Sequence, residues 1–404
     1  MQSTSPRSAA SPPSPAARPH RAVLALGFLS LTAACSASEP ARKEPLGYLP
    51  SAVTTAEAEW IPFVIRAGTA VPGDSRERHL ADLRQLTFGG ENAEAYWSPD
   101  GRKLIFQSTR DGAGCDQIYT LDLGSGETLR VSNGQGRTTC GYFTYPKGDR
   151  ILYASTHAAG AACPKKPDRS QGYVWPLDEF DIYSAKPDGS DTTPLVTGKG
   201  YDAEATVAFD GSRMVFTSTR DGDLELYTSK ADGTDVRRVT NAPGYDGGAF
   251  FSPDGTKLVW RASRPTGETL EKYRGLLHKG LVQPEQLELM VAGSDGQNAR
   301  AVTRNAKANF GPSFLPDSRR VIFSSNIDAA PPGRGGPPNF DLYLVDPDGP
   351  LTVTGMPAIE RVTFAEDFDG FPMFSPDGTY VVFGSNRHGK TRGETNVFVA
   401  RWVE

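Results

Sequence analysis

The strongest constraint on this chain is a repeated turn, Ser-Pro-Asp-Gly, that stands between two apolar segments. Full copies begin at Ser98, Ser252 and Ser375, and degenerate copies lie at 145–148, 208–211 and 315–318. Proline presets φ at the first central position of a tight turn and Asp-Gly supplies the reversal, so each copy should join two antiparallel strands. Repetition at a period of about 40 to 60 residues is typical of a propeller or a solenoid. Six turns therefore predict six structural units.

Each turn is followed by an uninterrupted apolar run, then by a third strand and by a Val or Leu next to Thr or Ser. An apolar run without alternation is expected where neighbouring blades cover both faces of a strand. These runs are 104–106, 151–153, 214–216, 258–260, 321–323 and 381–383. The sequence predicts an all-β fold, a six-bladed β-propeller of four-stranded antiparallel blades.

The last unit has no fourth strand, because the sequence ends soon after its third strand at 397–398. A spare fourth-strand pair, Leu86 and Thr87, stands before the first unit. We expect this N-terminal strand to complete the last blade and to close the ring, which would leave only short strand edges exposed.

These turns and strands resemble the TolB-type β-propeller repeat family over about residues 83–404. The resemblance implies six blades, and a relation in fold to the propellers of prolyl-oligopeptidase-like enzymes. TolB also carries an α/β domain before its propeller, for which too few residues precede the repeats here. The resemblance therefore does not extend to the role of that domain in binding the inner-membrane Tol partner, and the sequence does not say whether the chain takes part in the Tol system.

The N-terminal segment has the features of an export signal. Arg7, Arg18 and Arg21 precede an apolar run at 22–34, which ends in small residues before Cys35. This order is typical of a secretory signal. The run is shorter than the roughly 20 residues that a membrane-spanning helix needs.

The stretch from Leu31 to Cys35 resembles the lipobox of bacterial lipoproteins, in which the cysteine is lipidated and becomes the new N-terminus. Leu stands four residues before the cysteine here, where the lipobox has three, and plain secretion is the alternative. Ser36 after the cysteine implies the outer membrane, on its periplasmic side. We expect a signal peptide at 1–34, a flexible tether at 35–58 and the propeller at 59–404.

The loops that join second to third strands should lie opposite the repeated turns. We call these two sides the insert face and the turn face. On the insert face, blade two inserts 157–179, blade four inserts 264–286 and blade five adds a Gly/Pro-rich stretch at 331–338. Long loops on a rigid scaffold commonly carry binding sites.

Two groups within these inserts are candidates for partner binding. Tyr173 and Trp175 lie near two lysines, and exposed aromatic side chains often anchor peptide or sugar ligands. A cap over the blade edge is the alternative. Tyr273 and Leu277 belong to an amphipathic pattern that predicts a short helix beginning near Thr266. Both packing on the propeller and docking of a partner fit that pattern.

Two polar positions recur around the insert face, counted from each turn proline or its equivalent. The first position, before the turn, carries a small oxygen-bearing side chain: Asn92, Thr139, Asp202, Asp246, Asn309 and Asp369. The second, after the turn, carries Arg110, His157, Arg220, Arg264, Ile327 and Arg387. One interpretation is a hydrogen bond within each blade. The other is a polar channel mouth that also includes Glu91, Glu94, Glu204 and Asp367 and could hold Ca²⁺, which prefers oxygen ligands.

Three cysteines map to the insert face of neighbouring blades: Cys115, Cys140 and Cys163. In an oxidising compartment one disulfide among them is expected, and three pairings are possible. A metal site formed by the three cysteines and His157 is the alternative.

Catalytic motifs are missing from the sequence. It contains no nucleophile elbow, zinc-binding His-Glu-x-x-His, Walker loop or dinucleotide-binding glycine motif. The net charge of −5 disfavours nucleic acid as a ligand. We therefore favour a non-catalytic, monomeric, lipid-anchored propeller that binds an envelope protein or a cell-wall polymer, without a cofactor. A metal-dependent polysaccharide lyase or hydrolase acting at the channel mouth is the alternative.

If Cys35 carries the lipid, Cys35→Ala should move the exported protein from the membrane fraction to the soluble fraction, because the acyl chains would supply the membrane affinity. Fractionation followed by immunoblotting measures this, with Ser36→Ala as the neighbouring control. Membrane retention of Cys35→Ala at the level of the unaltered protein would refute lipidation.

Overall fold

The computed structural model describes residues 63–404 except 169–171, 330–338 and 367. The expected signal peptide, Cys35 and the tether at 35–58 lie outside the described residues, as do Asp367 and the stretch at 331–338. Within the described part of the chain, no helix is both long and apolar enough to cross a membrane.

Short strands follow one another along the chain, and each pairs with its neighbours in an antiparallel arrangement. Two strands precede the blades: β1 Thr69–Ala70 and β2 Leu80–Gln85. Blade one contains β3 Asn92–Trp97, β4 Lys103–Ser108, β5 Gln117–Asp122 and β6 Thr128–Arg130. Blade two contains β7 Thr138–Phe143, β8 Ile151–Ser155, β10 Asp181–Ala185 and β11 Thr193–Val196, with β9 Trp175–Pro176 in its insert. Blade three contains β12 Asp202–Val207, β13 Arg213–Ser218, β14 Glu225–Lys230 and β15 Arg237–Arg238.

The second half of the ring repeats this order with one helical insert. Blade four contains β16 Asp246–Phe251, β17 Lys257–Ala262, β19 Glu288–Gly293 and β20 Arg300–Ala301, with α1 Gly267–Leu277 and β18 Leu281–Val282 in its insert. Blade five contains β21 Asn309–Phe314, β22 Val321–Ser325, β23 Asp341–Val345 and β24 Ile359–Arg361. Blade six contains β25 Asp369–Phe374, β26 Tyr380–Ser385 and β27 Asn396–Trp402. The predicted six-bladed, nearly all-β propeller is confirmed.

The repeated turn joins the first two strands of each blade. In blade one, the Gly101 amide donates to the Ser98 carbonyl at 2.9 Å, and the Ser98 hydroxyl donates to the Asp100 carboxylate at 2.6 Å. Blade two differs, because its closing bond runs from Gly148 to Thr144 and spans one residue more.

That extra residue corrects one predicted position. Asn92 pairs with Ser108, and in blade two the corresponding pair is Thr138 with Ser155. Thr138, and not Thr139, is therefore the equivalent of Asn92. Counting back from Pro146 gave the wrong residue because it assumed turns of equal length.

Aromatic pairs between second and third strands fill the blades. Five blades hold a cross-strand ring pair with centroids 5.8 to 6.1 Å apart: Phe106 with Tyr119, Tyr153 with Tyr183, Phe216 with Tyr227, Phe323 with Tyr343, and Phe383 with Phe398. In blade four Trp260 and Met290 occupy this register. Burial on both faces of the strands explains why the runs are continuously apolar.

The Val or Leu next to Thr or Ser ends the pairing of the fourth strand with the third. In four blades the hydroxyl accepts a third-strand amide at 2.8 to 3.0 Å: Ser132 from Ile118, Thr240 from Leu226, Thr303 from Leu289, and Thr363 from Leu342. This bond satisfies an amide that would otherwise be buried without a partner.

The same motif closes the ring, as the spare Leu86 and Thr87 predicted. β2 pairs with β27 from Leu80 opposite Trp402 to Gln85 opposite Phe398. The Thr87 hydroxyl accepts the Val397 amide at 2.8 Å, as its equivalents do in other blades. β2 is thus the fourth strand of blade six, and β1 adds a short fifth.

Leu83 anchors the closing strand, since its side chain is 4% exposed and packs in the core of blades five and six. Leu83→Ala should lower the free energy of unfolding by about 2 to 5 kcal/mol. Leu129→Ala, in the exposed outer strand of blade one, should change it by less than about 0.5 kcal/mol. Denaturant unfolding of both variants measures this, and equal losses would contradict a core role for β2.

Candidate functional site

The inserts of blades two and four meet above blade three. β9 pairs with β18, with Trp175 opposite Val282 and Pro176 opposite Leu281. α1 packs against β18 and begins after Thr266, as predicted, where the Thr266 amide donates to the Thr269 hydroxyl at 3.0 Å. We call β9, α1 and β18, together with the described residues of the blade-two insert before β9 (157–168 and 172–174), the insert platform.

Tyr273 and Leu277 hold this platform on the propeller. Tyr273 is 8% exposed and its hydroxyl donates to Asp223. It packs with Leu224, Tyr245 and Val282, and Leu277 covers the same cluster. The apolar face of α1 therefore packs on its own protein. The proposal of Tyr273 and Leu277 as partner-binding residues is corrected for that reason.

Tyr173 and Trp175 occupy different places on the platform. Tyr173 is 54% exposed, and its hydroxyl accepts the Trp175 indole N–H at 3.2 Å. The Trp175 ring points back toward the propeller, where it lies 5.5 Å from the Phe310 ring and 5.2 Å from the Arg261 guanidinium. Trp175 thus packs against blades four and five at the insert face, while Tyr173 faces solvent.

The predicted disulfide is present and joins Cys115 to Cys163. It ties the blade-two insert to the loop between the second and third strands of blade one. The proposed metal site of three cysteines and His157 is wrong, because two of the thiols are consumed in this bond. His157 instead places its Nδ1 2.8 Å from the Ser155 hydroxyl. Among the described residues, no three His, Cys, Asp or Glu side chains are grouped so as to hold a metal ion.

The two predicted polar positions meet within the blade in blades one, three, four and six. Four arginines reach the first residue of the first strand in their own blade at 2.7 to 3.3 Å: Arg110 to Asn92, Arg220 to Asp202, Arg264 to Asp246, and Arg387 to Asp369. Three of these arginines also lie over the aromatic pair of the blade, as Arg220 lies 5.1 Å from Phe216 and 4.9 Å from Tyr227. Blade five has Ile327 at this position, and Asn309 there accepts a bond from Asn305 instead.

These polar positions do not surround an open channel mouth. Asn92, Asp202, Asp246, Asn309 and Asp369 are each at most 2% exposed. Each of them forms at least one hydrogen bond to another group of the protein, which makes the hydrogen-bond interpretation the one that the geometry supports.

The channel is lined by a different ring, of which the sequence interpretation named only Glu94 and Glu204 as channel residues. The third residue of each first strand has a left-handed φ between 50° and 63° at a bulge: Glu94, Cys140, Glu204, Gly248, Gly311 and Phe371. All six line one cavity of about 20 Å³, which is room for a single water molecule. We call them the axial ring. The sequence feature that could have revealed all six is their constant position, two residues after the Asn, Asp or Thr that begins the first strand of each blade.

Glu204 is the member of the axial ring that forms an ion pair. It forms an ion pair with Arg261 and accepts the Gly248 amide at 2.9 Å and the Thr217 hydroxyl at 2.7 Å. Gly248 is required here, because a Cβ atom at that position would lie 2.4 Å from the Arg261 guanidinium. The ion pair is buried, and the bonds that Glu204 accepts and the one that Arg261 donates to the Tyr245 hydroxyl help to offset the cost of burying these charges.

Glu94 lies across the channel from this pair. Burial, reinforced by the negative charge of Glu204, raises the pKa of Glu94 to about 7. Burial also raises the pKa of the Cys140 thiol well above its usual value, with Glu94 as the next cause. A protonated thiol is a poor nucleophile and metal ligand, so Cys140 is suited to filling space here.

A wider space opens at the turn face of the same channel. Its volume is about 380 Å³, and residues from the first turn of every blade line it. It was not predicted, because it arises where six turns converge and no single repeat shows it.

Two seams between blades bring buried carboxyl groups together. The Asp246 amide donates to the Leu224 carbonyl at 3.0 Å, which places Asp246 beside Glu225 of blade three. Arg264 donates to one carboxyl oxygen of Asp246, and Arg238 donates to one carboxyl oxygen of Glu225. The second oxygen of each carboxyl is buried without a partner. Burial is the main cause that raises the pKa of Asp246 to about 7, and the charge of Glu225 adds to it.

The seam between blades five and six repeats this arrangement with Asp341 and Asp369. Each carboxyl bonds one arginine, Arg361 or Arg387, and each keeps one buried oxygen without a partner. Burial raises the pKa of Asp341 to about 6. Two adjacent carboxyls that cannot both ionise at low cost tend to share one proton.

No family model matches the chain, and no curated protein matches it. Among solved structures, a putative TolB from Agrobacterium tumefaciens is 18% identical with a TM-score of 0.49, over 78% of this chain and 91% of that one. TolB from Acinetobacter baumannii is 17% identical with a TM-score of 0.48, over 78% and 65%. An oligogalacturonate lyase in complex with manganese is 17% identical with a TM-score of 0.44, over 84% and 98%. Likeness at this level says nothing of ligand or activity, and the fold rests on the strand pairing itself.

Asp246→Asn should reduce the loss of stability at rising pH. Native Asp246 keeps its proton up to about pH 7, whereas an unfolded Asp loses it near its ordinary pKa of 3.8. Stability therefore falls as the pH rises between these values, and an Asn that does not titrate removes this fall. The Asn amide can also donate to Glu225, as Asn309 approaches Glu288 at 3.5 Å in the next seam.

Thermal melts at about pH 5 and about pH 8 measure this effect. The control is Asp202→Asn, which removes the carboxylate that pairs with Arg220 at 2.8 Å and should lower the melting temperature at both pH values. A melting temperature of Asp246→Asn that falls with pH as steeply as that of the unaltered protein would contradict the assignment.

Proposed function

We propose that this chain is a non-catalytic, exported propeller that binds an envelope protein or a cell-wall polymer through the insert platform. The observation that carries the proposal is the pairing of β9 with β18. Loops from two separate blades form one ordered surface, and a disulfide fixes the blade-two loop from its other side. Ordered loops on a rigid scaffold lose little entropy when they bind a partner.

The chemistry of the platform supports a polar or acidic partner. Tyr173 presents an aromatic ring to solvent, and Lys165 and Lys166 are exposed in the same insert. Aromatic side chains supply contact area at low conformational cost, and lysines attract carboxylates or phosphates. Acidic peptides and anionic wall polymers both fit this surface.

The small volume of the channel at the axial ring favours partner binding over catalysis in the channel. Trp175 lies 5.2 Å from Arg261, which lines the axial cavity, and the axial ring leaves room for about one water molecule. A polysaccharide chain needs a far larger cleft at its reacting bond. Catalysis by a metal-dependent lyase or hydrolase at the channel mouth stays the alternative prediction.

We further propose that a lipid attached to Cys35 holds the protein at the membrane. Lipidation of Cys35 would leave residues 35–58 as a tether to the periplasmic side of the outer membrane, with the propeller acting as a monomer. The sequence of the N-terminal segment supports this part.

Tyr173→Ser should weaken partner capture by about fivefold or more, because exposed aromatic anchors dominate many interfaces. The matched control is Leu351→Ser, a 67% exposed side chain between the outer strands of blade five on the turn face. The mature protein and both variants are crosslinked to envelope extracts and to purified cell-wall sacculi, and bound species are quantified. Equal capture by Tyr173→Ser and by the unaltered protein would contradict partner binding through Tyr173 on the insert platform.

A further inference from the structure

The turn-face cavity has the size and walls of a ligand site. Its volume of about 380 Å³ lies within the range of small-molecule sites. Seven aromatic side chains line it: Tyr142, Tyr145, Phe209, Phe250, Phe251, Phe314 and Phe374. Prolines of five turns and Met373 complete the walls. Such walls favour a flat or branched apolar group.

The rim of the cavity is acidic. In the turn between the first and second strands of each blade, one residue lines the cavity and the next residue lies at the rim. The rim residues of blades one to six are, in order, Asp100, Lys147, Asp210, Asp254, Asp317 and Asp377. Among the described residues, Asp100, Asp210, Asp254 and Asp377 take their hydrogen bonds from turn amides and hydroxyls and form no ion pair. Asp210 itself lines the cavity.

Several basic residues on this face are engaged by other groups, and Arg213 donates to the Gly255 carbonyl and the Ser294 hydroxyl while it lies 5.4 Å from the ring of the wall residue Phe251. Arg320 pairs with Asp317 and Glu404, Arg319 pairs with Asp346, and Lys257 pairs with Asp348. None of these basic side chains forms an ion pair with Asp100, Asp210, Asp254 or Asp377. A cation that enters the cavity would meet both carboxylates and the negative faces of aromatic rings.

One polar group inside the cavity also lacks a partner. Tyr142 is 2% exposed and lines the cavity. Within the described part of the chain its hydroxyl forms no hydrogen bond, although a buried Tyr hydroxyl usually finds one. A ligand group or a water molecule in the cavity would satisfy it.

We propose that the turn-face cavity binds a small organic cation that carries an aromatic or branched apolar group. The apolar group fills the aromatic walls, and the ammonium lies at the rim near Asp210. This site is separate from the insert platform and does not depend on the function proposed for it.

Three indole probes of similar size and different charge test the proposal by calorimetry on the mature protein. Tryptamine is a cation, tryptophol is neutral and indole-3-propionate is an anion. We expect one-to-one binding of tryptamine, with tryptophol about tenfold weaker and the anion weaker still. Equal affinities for the three probes, or no binding of any, would overturn the proposal.

Asp210→Asn should weaken tryptamine about fivefold to tenfold and leave tryptophol unchanged. The matched control is Asp232→Asn. Asp232 accepts the Thr234 amide and hydroxyl at 2.9 and 2.6 Å, as Asp210 accepts those of Ser212 at 2.9 and 2.7 Å, but it lies between the outer strands of the same blade. The same loss in both variants would show that the rim charge near the cavity is not responsible.

Phe209→Ala tests the walls independently of charge. Phe209 is half-buried and lies 4.6 Å from the Tyr145 ring. Its removal should weaken tryptamine and tryptophol alike, by about tenfold, because each loses the same apolar contact. Unchanged affinity of a folded Phe209→Ala variant, verified by its thermal melt, would place the probe outside this cavity.

Discussion

The propeller depends on the pairing of two strands from opposite ends of the described chain, β2 and β27. Every other blade obtains its fourth strand from the next segment of sequence, whereas blade six takes its own from before blade one. Without β2, the outer edge of β27 would expose unpaired amides and carbonyls, and Leu83 would leave the core. The channel shared by the six blades depends on this closure, because residues of every blade line it.

The fold could be predicted because its determinants are local. Pro-Asp-Gly encodes a turn within four residues, and the hydroxyl of a Thr or Ser next to Val encodes the end of a fourth strand. Leu86 and Thr87 have the same residue pattern as the fourth-strand ends of the other blades, so the closure of the ring could be predicted. Thr139 was misplaced because one turn is a residue longer than the others.

The site was harder to predict because its determinants lie between blades. An amphipathic pattern shows that one face of α1 is covered but not by what, and Tyr273 proved to be covered by the propeller itself. The direction of Glu94 and Glu204 depends on a left-handed bulge that no residue type marks. The turn-face cavity belongs to six turns at once, and the Cys115 pairing was one of three that the sequence left open.

The axial ring places side chains of different chemistry on one repeated backbone geometry. Its six members, including Cys140, Gly248 and Phe371, share this geometry while differing in charge, size and polarity. Glu204 of blade three also bonds Arg261 and the Gly248 amide of blade four. The lining of the channel and the contact between these two blades are therefore linked, and a substitution that changed the charge of the lining at Glu204 would also change how the two blades meet.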